Sequence, residues 1–172
     1  MSEDYDPSAD THETPDSYEP DPGYGHDPNT IVAEYTDGSA TQTTDYDGDG
    51  YADDVRHDLD GDGQADVEYT NEHGGVALDT AAVDYNGDGL ADRVFSDTNE
   101  DGDVDLVVAD TNHDGVLDTA VADTNFDGRV DVVAQDPNGD GEVDRTVADT
   151  NYDGVPDTVV YDDPDTNPYA RN

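Results

Sequence analysis

Short apolar blocks recur with a 13-residue period along most of the chain, each fenced by acidic, glycine-rich stretches. Leu106-Val107-Val108-Ala109, Thr119-Ala120-Val121-Ala122, Val132-Val133-Ala134-Gln135 and Thr158-Val159-Val160-Tyr161 are representative. They are rich in β-branched residues and bounded by turn formers, so the pattern predicts β-strands and an all-β fold. Four residues at ~3.3 Å each make a strand of only about 13 Å. Such a strand is not stable alone and must stack or pair. No apolar stretch approaches the length of a membrane-spanning helix, so no membrane insertion is expected.

The intervals between the blocks are themselves a repeat. Asp45-Tyr46-Asp47-Gly48-Asp49-Gly50-Tyr51-Ala52-Asp53 is followed by Asp58-Leu59-Asp60-Gly61-Asp62-Gly63-Gln64-Ala65-Asp66. The frame restarts at Asp84, Asp97, Asp110, Asp123, Asp136 and Asp149 without insertion or deletion. A module at Asn71 keeps the frame but loses the signature, reading Asn71-Glu72-His73-Gly74-Gly75-Val76. A further start at Asp162 fails after one residue, leaving 162–172 as a polar tail. The array therefore has nine 13-residue modules over 45–161, eight of them intact. Each intact module reads Asp-x-Asp/Asn-x-Asp-Gly-x-x-Asp and then the four-residue block. Residues 1–44 are acidic, contain Pro without period, and read as a disordered leader. Ile31-Val32-Ala33-Glu34-Tyr35 is a candidate short strand at its end.

Composition sharpens this picture. Over 172 residues there are 47 acidic residues, five Arg and no Lys, for a net charge of −42. With only 31% hydrophobic residues, apolar burial alone is not expected to offset chain entropy. A surface this acidic repels nucleic acid and anionic membrane and attracts cations. The absence of Cys excludes disulfides, zinc-thiolate sites and thiol chemistry. The first residues, Met1-Ser2-Glu3-Asp4, lack the basic and apolar regions of a secretory signal.

The loop spacing points to calcium, a hard cation that takes six to eight oxygen ligands at ~2.3–2.6 Å. Alternate carboxylates of a tight loop converge on one centre, and Gly at position 6 permits the sharp turn that brings later oxygens inward. Position 1 would supply Asp45, Asp58, Asp84, Asp97, Asp110, Asp123, Asp136 and Asp149. Position 3 would supply Asp47, Asp60, Asn86, Asn99, Asn112, Asn125, Asn138 and Asn151. Position 5 adds Asp49, Asp62, Asp88, Asp101, Asp114, Asp127, Asp140 and Asp153. Position 9 closes the cage with Asp53, Asp66, Asp92, Asp105, Asp118, Asp131, Asp144 and Asp157. The backbone carbonyl would come from position 7: Tyr51, Gln64, Leu90, Asp103, Val116, Arg129, Glu142 and Val155. About eight calcium ions are thus expected, with the Asn71 module empty or weak. Missing nitrogen and sulfur ligands disfavour zinc and copper, and a flexible oxygen cage suits calcium better than magnesium.

An EF-hand needs a carboxylate at position 12 and a helix after it. Position 12 holds Arg56, Tyr69, Phe95, Val108, Val121, Ala134, Val147 and Val160, and no room for a helix remains. The motif over 45–161 resembles instead the calcium loops of integrin-type FG-GAP blades, and its tandem spacing resembles thrombospondin type 3 repeats. Propeller blades are far longer than one of these modules, and type 3 repeats usually carry disulfides. The resemblance implies calcium-dependent structure in an extracellular setting and names no partner.

Side-chain likeness adds a second period. Val76 to Ala82, Gly115 to Val121 and Gly154 to Val160 share Asp-Thr followed by two apolar residues, a 39-residue period. A calcium-stabilised solenoid with three modules per coil would produce this. So would duplication of a three-module block without geometric meaning, and an extended calcium-wrapped array like thrombospondin type 3 repeats is the alternative fold. A two-sided roll would instead show a 26-residue period. Catalysis lacks its parts: Ser96 is the only Ser of the array, and the Asp residues already have a ligand role. No enzyme is expected. His12, His26, His57, His73 and His113 share no spacing and read as surface residues. Tyr161 to Asp165 has the spacing of a type VII export signal, in a chain where Tyr and Asp are frequent enough for coincidence. Thr98, Thr111, Thr124 and Thr150 occupy position 2 and are expected to hydrogen-bond within their loops and not to form a ladder. The expectation is a calcium-binding repeat protein that folds on binding and serves as a structural or adhesive spacer, or else a calcium buffer or mineral-binding polyanion. Loops of micromolar affinity would stay empty in the cytosol. That favours leaderless export to the cell surface or beyond over a cytoplasmic setting.

Overall fold

In the computed structural model, residues 29–162 are described. Residues 1–28 of the expected leader, 163–172 of the tail and the end of the Tyr161 to Asp165 spacing lie outside the described residues. All regular structure is strand: β1 (Thr30–Glu34), β2 (Ala40–Thr44), β3 (Asp54–Asp58), β4 (Val67–Thr70), β5 (Thr80–Val83), β6 (Arg93–Ser96), β7 (Leu106–Ala109), β8 (Thr119–Ala122), β9 (Val132–Gln135), β10 (Arg145–Ala148) and β11 (Thr158–Tyr161). The four apolar blocks picked out above are β7, β8, β9 and β11, residue for residue.

The eleven strands form one antiparallel sheet in sequence order, not closed into a barrel. Register is the same from one hairpin to the next: Leu106 faces Ala122, Ala109 faces Thr119, and the next pair sets Thr119 opposite Gln135. Each hairpin is centred on loop position 5. The nine-residue loop suffices to reverse the chain, so sequence neighbours pair directly, as antiparallel strands can. A three-module coil would instead place each strand beside the one three modules away. The sheet corrects that expectation. Turns alternate between two rims, so every second loop falls on the same rim, and the 39-residue likeness has no counterpart in pairing. One rim carries the turn at 35–39 and the loops starting at Asp58, Asp84, Asp110 and Asp136; the other carries those starting at Asp45, Asn71, Asp97, Asp123 and Asp149.

The boundary of the leader also shifts. β1 takes up Ile31 to Glu34 of the expected strand Ile31 to Tyr35, leaving Tyr35 to the turn, and it pairs with β2 around a turn in which the Ser39 N–H and hydroxyl donate to Asp37. Residues 30–44 therefore begin the sheet. The Thr and Gln of β2 carry too few apolar positions to mark a strand by alternation. What recruits them is the neighbouring ladder with β3.

No apolar side chain among the described residues is buried. A single layer has no second layer to cover it, and the strand side chains are half-buried by their cross-strand neighbours. Val107, Val121, Val133, Val147 and Val159 stand opposite one another in turn across five strands. Such pairs stabilise by only about 0.2–1 kcal/mol each. The residues that are buried are Thr44, Ser96 and twelve aspartates.

Loops on one rim pack closely. A Cβ on Gly61 would lie 2.7 Å from the Gly38 carbonyl oxygen, with φ at +81°. Gly63 has a similar φ of +91° but open space. Gly61→Ala is therefore expected to destabilise by about 2–3 kcal/mol and Gly63→Ala by about 1 kcal/mol. Thermal midpoints of the two variants, compared at one calcium concentration, check the difference.

Candidate metal-binding loops

The loops are folded by their own carboxylates. At position 1, Asp45 accepts the N–H groups of Gly48 and Gly50 at 2.6 and 3.0 Å, and Asp110 accepts those of His113 and Gly115 at 2.6 and 2.8 Å. The position-5 carboxylate accepts the position-7 N–H in all eight intact loops, from Tyr51, Gln64, Leu90, Asp103, Val116, Arg129, Glu142 and Val155. Position 9 accepts the position-2 N–H, as Asp66 does from Leu59 at 2.6 Å and Asp92 from Tyr85 at 2.7 Å, except in the loop starting at Asp136, where position 2 is Pro137 and has no N–H. Thr98, Thr111, Thr124 and Thr150 add hydroxyl donors to Asp105, Asp118, Asp131 and Asp157, which is the local role expected of them. Short Asp side chains suit this work because they reach backbone two or three residues on.

Two backbone positions per intact loop are left-handed. Position 6 of the intact loops is Gly, from Gly50 at φ +93° to Gly154 at +86°, whereas the Asn71 module has Val76 there. Position 4 is left-handed too, and there the chain places Glu100, His113, Phe126 and Tyr152 at φ near +60°. Position 6 was expected from the sequence, and position 4 was not. Its signal was present, since Gly48, Gly61, Gly74, Gly87 and Gly139 occupy position 4 elsewhere.

The carboxylate oxygens of Asp45, Asp47 and Asp49 lie within 4.8 Å of one another, and so do those of Asp58, Asp60 and Asp66. Two oxygens on opposite sides of an ion at ~2.4 Å stand about 4.8 Å apart, so one oxygen from each carboxylate could reach a single cation. In the first, positions 1, 3 and 5 converge while Asp53 serves the Tyr46 N–H; in the second, position 9 takes the place of position 5. The other six intact loops carry Asn at position 3, whose amide oxygen is an equally hard ligand. Asn99, Asn125, Asn138 and Asn151 accept the position-5 N–H through that oxygen. In loops 84–92 and 136–144 the Asn86 and Asn138 amides also donate to Asp92 and Asp144.

Successive loops on one rim are tied together. The position-1 N–H donates to the position-9 carbonyl of the loop two modules earlier, as Asp110 does to Asp92 and Asp149 to Asp131. Loops on a rim are two strand spacings apart, about 10 Å. His113 Nδ1 reaches Asp92 Oδ1 at 3.2 Å, and a Cβ on Gly115 would touch Leu90 Cδ1 at 2.7 Å. Consecutive modules along the chain, by contrast, sit on opposite rims.

The buried aspartates lie at positions 1 and 9, except Asp54. Basic side chains meet few of them: Arg56 lies 3.3 Å from Asp54, His73 Nδ1 2.9 Å from Asp79 and His113 Nδ1 3.2 Å from Asp92. Backbone N–H groups serve most of the others. Burial alone would push Asp79, Asp118 and Asp123 up, but the N–H and hydroxyl groups aimed at them hold all three below the ordinary carboxylate value. The Tyr85 N–H lowers Asp92, and the Thr150 hydroxyl lowers Asp157. Asp54 runs the other way, pushed up by burial and by Glu68 beside it. A lowered folded pKa gives stability that is full above the unfolded value, near 4, and lost as pH falls through the folded value. Lowered groups outnumber the raised one, so urea midpoints at fixed calcium are expected to fall between pH 5 and pH 3.

The module at Asn71 is built differently. Asn71 accepts the Gly74 N–H and donates to the Gly75 carbonyl, while Asp79 accepts from Glu72, His73 and Thr80. Positions 3 and 5 offer His73 and Gly75 in place of carboxylates. No carboxylate cluster like those of the first two loops forms there, nor among the acidic side chains of the six intact loops with Asn at position 3.

Comparisons with models of protein families, with curated proteins and with solved structures found no match.

Proposed function

We propose that this chain is a calcium-binding repeat protein whose sheet forms around about eight ions, arranged as two rows of four along its rims. The observation that carries the reading is the inverted interior: among the described residues, aspartates are buried and apolar side chains are not. Backbone N–H groups bond the buried carboxylates but leave their clustered charge uncompensated, which is costly, and the chain has five Arg and no Lys to offset 47 acids. A cation from solution would supply the missing charge, and the donors are all hard oxygens. The resemblance to FG-GAP loops and thrombospondin type 3 repeats points the same way. Calcium, when bound, would supply two positive charges to each loop and be held by positions 1, 3, 5 and 9. The ladder, the backbone turns and the position-2 donors orient those ligands.

A thin sheet with ions along both rims suits a spacer, whose use depends on a defined length of roughly 50 Å for eleven strands. A buffer needs only the ion inventory. Calorimetric titration is expected to give about eight calcium ions per chain and far weaker response to magnesium. A stoichiometry of two or fewer would remove the repeat reading.

A further inference from the structure

We propose that the β4–β5 hairpin, Val67 to Val83, closed by the loop from Asn71 to Asp79, holds its fold without calcium and is the segment from which the rest of the sheet grows. The inference rests on the calcium reading for the other loops. The degenerate loop has lost what makes its neighbours cation-dependent. The intact loops carry carboxylates at positions 1, 5 and 9, joined at position 3 by Asp47 and Asp60 in the first two. In this loop positions 1, 3, 5 and 9 hold Asn71, His73, Gly75 and Asp79, so one carboxylate remains.

That carboxylate is already satisfied. Asp79 Oδ1 accepts the Glu72 N–H at 3.0 Å and the Thr80 hydroxyl at 2.9 Å, and Oδ2 accepts the His73 N–H at 2.9 Å. His73 Nδ1 lies 2.9 Å from the same Oδ2 and can donate to it either as imidazolium or as the Nδ1–H tautomer. The imidazole thus stands where the sequence frame of other modules puts a metal ligand. Asn71 bonds across the loop in both directions, to Gly74 and to Gly75 at 2.7 and 2.6 Å. No cluster of like charges at the ligand positions opposes closure.

The strands beside this loop carry several electrostatic and ring contacts, others being Arg93 over the Tyr85 ring at 5.7 Å and His113 against Asp92. Arg56 on β3 donates to Glu68 on β4 from Nε and Nη2 at 2.9 and 2.6 Å, with Asp54 at 3.3 Å from Nη2. His57 and Tyr69 meet edge to face at 5.9 Å. Among the described residues, the ion pairs fall between Asp54 and Asp79, apart from His113 with Asp92. A lone hairpin is marginal in water, and a third strand gives it support. β3 is that strand.

The same hairpin is placed to template its rim. The Asn71 N–H donates to the Asp53 carbonyl at 2.9 Å, and the Asp97 N–H donates to the Asp79 carbonyl at 2.8 Å. Glu100 of the next loop on that rim lies against Gly75, where a Cβ would stand 2.7 Å from Oε2. A closed central loop therefore presents fixed partners to the loops on either side before any ion has bound.

Hydrogen exchange of the full chain, first in excess chelator and then in calcium, tests this. In chelator, amides of 67–83 are expected to exchange at least about tenfold more slowly than the unfolded chain, while β6 to β11 exchange at unfolded rates. His73→Ala is expected to reduce that protection about tenfold, the worth of one good hydrogen bond to a charged group. A triple variant, His73→Asp, Gly75→Asp and Val76→Gly, brings positions 3, 5 and 6 to the repeat signature and keeps Asn71 at position 1; it is expected to bind one more calcium ion and to lose all protection in chelator. If calcium orders the array while 67–83 exchanges freely in chelator, the inference is overturned and the calcium reading stands. If calcium protects nothing anywhere, the calcium reading itself falls. Retained chelator protection in the triple variant would also overturn the inference.

Discussion

Chelation is expected to dismantle most of the sheet, with loss of strand signal in circular dichroism and a clear rise in hydrodynamic radius. Over 45–161 there are 33 acidic residues and four Arg, a net charge of 4 − 33 = −29. Eight calcium ions would add 16, leaving −13. Two like charges at about 4 Å repel by on the order of 4 kcal/mol at an effective dielectric of 20. Each empty loop gathers several such charges while burying some of them. Against this the described residues set half-buried Val and Ala pairs and no buried apolar side chain. Without ions the balance lies with the repulsion, and binding is then the folding reaction. An unchanged radius and unchanged strand signal in chelator would contradict this coupling.

Asp110→Ala is expected to empty one loop and to disturb the loops two modules away more than those of the adjacent modules. Asp110 is buried and receives the N–H groups of His113 and Gly115. Its removal strands both donors, at about 1–3 kcal/mol each, and removes one ligand. Its own N–H holds the Asp92 carbonyl, and the Asp136 N–H holds the Asp118 carbonyl at the end of the same loop. Loops 84–92 and 136–144 therefore feel the change through the rim. Loops 97–105 and 123–131 lie across the sheet and feel it only through β7 and β8. Amide chemical shifts of the calcium form, mapped by module, check the pattern. A perturbation that decays simply with distance along the chain would contradict two separate rims.

Much of this was legible in the residues. The 13-residue frame placed β7, β8, β9 and β11 correctly because β-branched blocks between Gly-rich loops leave few alternatives. The candidate ligand positions stood out because a cage needs carboxylates at fixed spacing. Pairing was not legible. Side-chain likeness around Val76, Val116 and Val155 suggested a 39-residue coil, yet pairing is decided by backbone reversal, which every loop performs alike. The 26-residue rim period is carried by N–H to carbonyl bonds such as Asp149 to Asp131, and backbone bonds leave no mark on residue identity. The hairpin of β1 and β2 was hidden for the related reason that Thr41, Gln42 and Thr43 are recruited by the edge of a neighbour. Position 4 was missed because Glu100, His113, Phe126 and Tyr152 obscured the glycine pattern of the other modules.

Native mass spectrometry across a calcium titration tests the central claim most directly, since it counts ions and reports compactness on the same molecules. A broad, highly charged envelope is expected without calcium, giving way cooperatively to a narrow one that carries about eight ions. A narrow, compact envelope with no calcium bound would contradict folding around the ions.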